Sequence, residues 1–324
     1  MMLTKPRFTV SVSPHIRDRA DTRSIMLDVL IALVPALVVS VLAFGMKALL
    51  LEVISVGSAV FWEWLYRKLM KKPQAIGDLS AAVTGLLLSF CLSPEVAWWM
   101  PIIGTFFAIV VVKQLYGGIG KNFLNPALAG RAFLSAAYPG AMTTWSASRL
   151  GADALTGATP LASMAASQLP ETGVLGLFLG TTGGCMGEVS ALALLIGGVY
   201  LLCRRVITPR IPLSYLLTVA VLTFLFPRGN DNLSWMLSSL CSGGLMLGAI
   251  YMATDYATSP VTRLGQIIFG VGCGLLTVFI RYFGSYPEGV SYAILIMNVT
   301  VWLIDKATMP RRFGVSRGKK KEAA

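Results

Sequence analysis

Apolar residues in this chain come in ten long blocks, near 26–45, 48–66, 79–93, 101–116, 123–138, 189–203, 211–227, 235–253, 264–283 and 289–304. Each approaches the ~20 residues that an α-helix needs to cross a bilayer. The pattern predicts an all-α integral membrane protein with about ten transmembrane helices. The stretch Val174–Thr182 is too short to cross and reads as a re-entrant or interfacial piece leading into the sixth helix. No persuasive cleavage site follows the first block, so it reads as the first helix and not as a signal peptide.

Charge orients these helices, because Lys and Arg near helix ends favour the cytoplasmic side. With the N-terminus inside, alternating loops place 22 basic residues inside. Only four fall outside (Lys47, Arg149, Arg228 and Arg281), and Arg131 stands alone within a helix. Lys113 is counted among the inside loop charges. Both termini are therefore expected in the cytoplasm. The expected organisation is a cytoplasmic segment 1–25, a five-helix half 26–138, an outer loop 139–173, a second five-helix half 174–305 and a basic tail 306–324. Five is odd, so a second copy of the first half lies upside down. Ser93-Pro94 closes the third block and Ser259-Pro260 the eighth, at opposite faces, which favours two inverted five-helix repeats.

Composition agrees: 55% of residues are hydrophobic and 13% charged, against roughly 25% charged in soluble domains. The net charge of +12 sits in short clusters between apolar runs and not along one polar face, which argues for membrane topology and against nucleic acid. Cys91, Cys185, Cys203, Cys241 and Cys273 are scattered singly, and His15 is the one histidine. That spacing excludes an iron–sulfur cluster or multi-histidine metal site held by this chain alone, so a redox cofactor here is expected to be organic.

Three Gly/Pro-interrupted stretches carry polar groups at membrane depth: Gly117–Arg131 (GGIGKNFLNPALAGR), Gly183–Ser190 (GGCMGEVS) and Ala253–Pro260 (ATDYATSP). Backbone that leaves the helix there must face protein or a wet cavity. For Asn122, Asn125 and Asp255, a helix cap and a binding site both remain open. Glu188 and Arg131 lie deeper, where an ionised side chain costs on the order of 2.5–3.5 kcal/mol on insertion scales and is usually partnered or functional. Asp28 and Asp78 sit near basic clusters and read as ordinary pairs; Trp62, Trp64, Trp98 and Trp99 read as interfacial belts. In the outer loop, Gly151–Pro160 (GADALTGATP) is by itself a small-residue surface turn that exposes hydroxyls beside Asp153.

Thr156-Gly157-Ala158-Thr159 in that turn resembles the [ST]GAT flavinylation motif, with Thr159 at the modified position. GGIGKNFLNPALAGR, GEVSALALLIGG, MATDYATSPVT and the N-terminal SPHIRDRADTRSIMLDVLIALVP are similar, in the same order, to the membrane flavoprotein family that contains the D subunit of the Rnf complex and the B subunit of the sodium-pumping NADH:quinone reductase. The short segment before the first helix fits the Rnf D branch. The chain has Asp255-Tyr256-Ala257-Thr258-Ser259-Pro260 where the family often has Asp-Pro-Val-Thr-Ser-Pro.

The resemblance implies a subunit of an ion-translocating ferredoxin:NAD oxidoreductase in the bacterial cytoplasmic (inner) membrane, moving Na+ or H+ with electrons. FMN would be held through its phosphate by Thr159, in a site that includes Asp153, Thr156 and Gly157. A separate flavin transferase would install it, and other subunits of the complex would be partners within membrane lipid. The family also suggests a second, non-covalent flavin such as riboflavin, for which Asn122 and Asn125 are the candidates. Glu188 and Asp255 are the ion-pathway candidates. The competing expectation is a flavin-independent secondary transporter or channel with an inverted-repeat fold.

Overall fold

The computed structural model describes residues 21–146, 148, 159–170, 172–188, 190–229, 231–284 and 288–310, and every regular element among them is helical. Helix α1 (Thr22–Phe44) opens with Asp21 and Ser24 exchanging hydrogen bonds in a capping box. Gly45, at φ 79°, turns the chain straight into α2 (Met46–Leu69). Then come α3 (Ser80–Phe90), α4 (Met100–Gln114) and α5 (Pro126–Ala137). Beyond the loop lie α6 (Gly173–Leu179), α7 (Ala191–Cys203), α8 (Arg210–Leu225), α9 (Asn232–Cys241), α10 (Leu245–Met252), α11 (Arg263–Phe283) and α12 (Val290–Thr308). Short helical turns, Pro139–Met142 and Pro160–Ala165, occupy the described parts of the long loop.

Four of these helices, α1, α2, α11 and α12, are long and apolar enough to cross a membrane, and α9 with α10 makes a fifth if the bent pair is one span. Helices α3, α4, α7 and α8 are apolar but shorter. The sequence blocks differ from the helices where proline or glycine intervenes. The third block stops being helical after Phe90, ahead of Pro94, which disfavours helix in the residue before it. The fifth begins only at Pro126, where a proline suits the first helical turn. The eighth is two helices bent by 62° around Ser242-Gly243-Gly244, with Gly243 at φ 67°. The piece at Val174–Thr182 is the short helix α6.

Burial is inverted relative to a soluble protein. Val34, Val38 and Leu42 of α1, Leu275 and Phe279 of α11, and Val299 and Trp302 of α12 face outward. Glu63, Lys113, Gln114, Asn125, Arg131 and Asn298 are buried. Packing runs in the same order in both halves: α2 lies against α3 and α4, and α4 against α5, while α8 lies against α9 and α11, and α11 against α12. The halves meet through α1 on α7 and α5 on α12.

Both cross-contacts are antiparallel. Asp28 near the start of α1 meets Tyr200 and Arg204 at the end of α7, and Asn125 and Arg131 of α5 meet Asn298 and Ser291 of α12 in reverse order. On α7, Gly197 lies so close to the Ala32 carbonyl that a Cβ has no room, and the Tyr251 hydroxyl stands 3.2 and 3.0 Å from the carbonyl oxygens of Ala32 and Leu194. Gly197→Ala is therefore expected to push the halves apart at a cost of about 1–3 kcal/mol. It should lower the thermal unfolding midpoint of the detergent-solubilised protein, whereas Gly57→Ala, at an open surface position, should not.

Candidate functional site: two cavities joined by a short helix

The helix breaks converge on two cavities at opposite ends of α5. The first is walled by Arg131, Ala132 and Ser135 of α5, Thr159 and Leu161, Thr182–Gly184 and Glu188 ahead of α7, Ser242 and Gly243 of the α9–α10 bend, and Glu288, Ser291 and Tyr292 at the start of α12. Pro139, Met142 and Trp145 complete an apolar side. Thr159 caps the turn Pro160–Ala165, its hydroxyl oxygen accepting the Ala162 N–H at 3.2 Å. Asp153, Thr156 and Gly157 lie outside the described residues.

Arg131 dominates the floor of this cavity. Its guanidinium pairs directly with Glu288, donates to the Ser291 hydroxyl at 3.0 Å, points at the Cys185 sulfur at 3.6 Å and stands 4.0 Å from Glu188. The last distance is too long for a hydrogen bond, and Oε1 of Glu188 is buried with no hydrogen-bond partner among the described residues. This carboxylate is packed against Gly244, where a side chain would collide with it, and lies within ordinary contact of Gly184. The Cys185 thiol donates to the Cys91 carbonyl at 3.3 Å. Ligand atoms of Cys185, Glu188 and Glu288 lie within 4.8 Å of one another, and the guanidinium supplies the positive charge among them. Arg131 is thus partnered, as its depth in the sequence suggested, while Glu188 sits in a turn ahead of α7 and not within a helix.

The second cavity is walled by Ser80, Val83 and Thr84 of α3, Lys113 of α4, Asn122, Asn125 and Pro126, Leu201 of α7, Val206, and Tyr251 and Thr254–Ala257. Here cap and cavity wall coincide. Asn125 caps α5, accepting from the N–H groups of Ala127 and Leu128, donates its amide to the Met252 carbonyl at 3.2 Å, and its own N–H bonds Asn298. Asn122 donates to the Leu124 carbonyl, and Asp255 accepts from the Thr258 hydroxyl at 3.2 Å within its own turn. The two ion-pathway candidates are therefore apart, with Glu188 in the first cavity and Asp255 in the second beside both asparagines.

Sequence reasoning placed Lys113 in a loop; it is 2% exposed, on the π-helical half of α4 at Phe107–Gln114. Its ammonium pairs with fully buried Glu63 of α2 at 3.0 Å and donates to the Ser80 hydroxyl at 2.6 Å; Gln114 donates to the same carboxylate at 2.6 Å. A buried charge is tolerable only when paired and hydrogen-bonded, and Glu63 meets that condition. Glu63 and Glu288 were both missed. A glutamate inside the apolar run FWEW was the available signal for the first; the second stands at a helix entrance and carried none. Trp62, expected in an interfacial belt, donates to the Ile102 carbonyl and packs edge-on against Phe106.

A shell of apolar helices around backbone-broken cavities that carry buried charged and amide side chains defines a multi-pass membrane protein. The model of the NQR2, RnfD, RnfE family matches residues 9–314, so the chain belongs to that family. It is 52% identical over 321 residues to the D subunit of the Na(+)-translocating ferredoxin:NAD(+) oxidoreductase complex of Acetobacterium woodii, covering 98% of each chain. It is 44% identical over 326 residues to the D subunit of the proton-translocating ferredoxin:NAD(+) oxidoreductase complex of Clostridium ljungdahlii, covering 97% of this chain and 98% of that one. Against the D subunit of the ion-translocating oxidoreductase complex of Escherichia coli the identity is 36% over 352 residues, with 96% and 99% covered.

Arg131→Met leaves Glu288 and Glu188 without their cation and is expected to cost roughly 3–5 kcal/mol, the penalty for orphaning a buried charge. Adding Glu288→Gln to Arg131→Met should recover part of that loss, read as the unfolding midpoint of the double variant against the single one.

Proposed function

We propose that this chain is the D subunit of an ion-translocating ferredoxin:NAD oxidoreductase, carrying electrons through FMN bound covalently to Thr159. The observation that carries the reading is that Thr159, which closes a T-G-A-T sequence, shares one cavity wall with Arg131, Glu188 and Glu288. The residues there suit a tethered flavin. A threonine hydroxyl at the rim offers the phosphoester oxygen, Met142, Trp145 and Tyr292 offer apolar and aromatic walls, and Arg131 offers a cation to a ring that gains negative charge. FMN would supply the electron-transfer chemistry while the protein sets its position and electrostatics. Thr159 is an attachment point and takes no part in turnover.

The second cavity is the proposed site of a non-covalent flavin such as riboflavin. Asn122 and Asn125 bring amide groups to its wall, Lys113 and Ser80 a cation and a hydroxyl, and Val83, Val206 and Tyr251 apolar surface. Glu188 and Asp255, one in each cavity, are the proposed carboxylates of the ion path, for Na+ or H+. The matching order of packing in the two halves and their antiparallel cross-contacts support two inverted five-helix repeats. In this reading ten spans cross the bacterial inner membrane, with both termini and the second cavity at the cytoplasmic face and Thr159 outside. Other subunits of the complex bring electrons to the flavins, and a flavin transferase attaches the FMN.

Denatured protein made in cells with an active flavin transferase is expected to show a fluorescent flavin band on a gel, and Thr159→Ala to abolish it. An unflavinylated parent would remove the covalent assignment. Asn125→Ala should strip non-covalent flavin from the purified complex while the fluorescent band remains. Glu188→Gln should impair ion movement into vesicles more than it impairs assembly of the complex.

A further inference from the structure

The polar side chains behind the second cavity form a continuous file that ends at the protein surface. Asp78, half-buried in the turn ahead of α3, accepts a hydrogen bond from the Ser80 hydroxyl at 2.6 Å. Ser80 accepts one from the Lys113 ammonium, also at 2.6 Å. Lys113 is held on its other side by Glu63 at 3.0 Å, and Glu63 is braced in turn by Gln114 at 2.6 Å and Arg67 at 3.6 Å. Ser80 and Lys113 are themselves cavity walls, whereas Asp78 is not. The ionisable groups around Lys113 are thus Glu63 and Arg67 from α2, Asp78 from the turn before α3, and Asp255 across the cavity.

As a structural fastening this file is over-built. Pinning α2 to α4 needs only Glu63 and Lys113, and tying the start of α3 to the turn before it needs only the Ser80 N–H, which donates to Asp78 at 2.9 Å. The two are joined through a hydroxyl, and a hydroxyl both gives and takes a proton. Each link is short enough for transfer between neighbours, the distance general acid–base catalysis requires.

We infer that Asp78, Ser80 and Lys113 are a proton path from the cytoplasmic surface to the ligand of the second cavity, with Glu63 as the group that positions the ammonium. The inference rests on that cavity holding a flavin. One electron placed on an isoalloxazine ring leaves it negatively charged unless a proton follows, and the other redox centres of the complex supply the electron. Lys113 breaks one N–H bond and passes that proton to the ring. Once Lys113 has given up its proton, Asp78 takes one from surface water and passes it to Ser80, whose hydroxyl, donating to Asp78 at rest, turns to give its own proton to the amine. On reoxidation the proton returns by the same groups, so each cycle consumes none. The electron thereby crosses this part of the protein with its charge compensated locally.

The test uses the whole purified complex, with non-covalent flavin content measured first and the rate of flavin reduction then followed by stopped-flow absorbance in H2O and D2O. Asp78→Asn is expected to retain the flavin, to slow its reduction at least roughly tenfold, and to be restored by millimolar imidazole as a diffusible proton donor. Lys113→Met with Glu63→Gln removes both charges together, avoiding an orphaned carboxylate, and should give flavin-replete complex with the same slow phase and a lost solvent isotope effect. Flavin-replete Asp78→Asn complex that reduces at the parent rate with the parent isotope effect overturns the path, as does a slow rate that imidazole leaves unchanged. A parent complex with no non-covalent flavin overturns the cavity assignment itself and the path with it.

Discussion

Burying an ion pair among broken helices is the constraint on which the first cavity depends. Arg131 cannot lose its charge, and in a low-dielectric interior it must be met by carboxylate and hydroxyl on every open side. Glu288 and Ser291 from the start of α12, Glu188 and Cys185 from the approach to α7, and the carbonyl of Cys91 after α3 all reach the guanidinium or its first neighbours. None of these groups lies in the middle of an unbroken helix. The backbone breaks let these side chains converge, and Gly244 leaves the space that the Glu188 carboxylate occupies.

A second, independent knot closes the opposite end of α5. Asn125 caps that helix and ties it to the carbonyl of Met252, while Asn298 bridges the Asn125 N–H and the Thr258 carbonyl at 2.9 Å. Amides suit this place because one side chain both donates and accepts, which lets three broken segments satisfy each other without net charge. The π-helical ends of α4 and α10 serve the same purpose, carrying Lys113 and Met252 to positions beside this knot. Between the two knots α5 is short and pinned at both ends.

Membrane character and the position of most helices were legible in the sequence, since apolar block length and the placing of Pro94, Pro126 and Gly243 follow directly from chain chemistry. The polar helix breaks were legible too: Asn122, Asn125, Asp255, Arg131 and Glu188 all line cavities. What could not be read was their grouping, which depends on contacts between residues as far apart as Asn125 and Asn298. Lys113 was misplaced because a lysine at the end of an apolar block looks the same whether it reaches water or an internal carboxylate. Glu63 escaped notice for the complementary reason, as its partners Lys113 and Gln114 come from another helix.

The length of α5 has an electrical consequence. Twelve residues rise about 18 Å, against roughly 30 Å of hydrocarbon elsewhere in a bilayer, and one cavity lines the helix up to Ala127 while the other lines it from Arg131 onward. A membrane voltage falls over the least polarisable layer it meets, so in the topology proposed above it would be concentrated between the two cavities, and the field there would be correspondingly steeper. A unit charge passing from one cavity to the other would traverse most of the potential difference, worth about 2.3 kcal/mol for each 100 mV. In the topology proposed above, the helix that separates the two cavities would therefore also be the insulator between them.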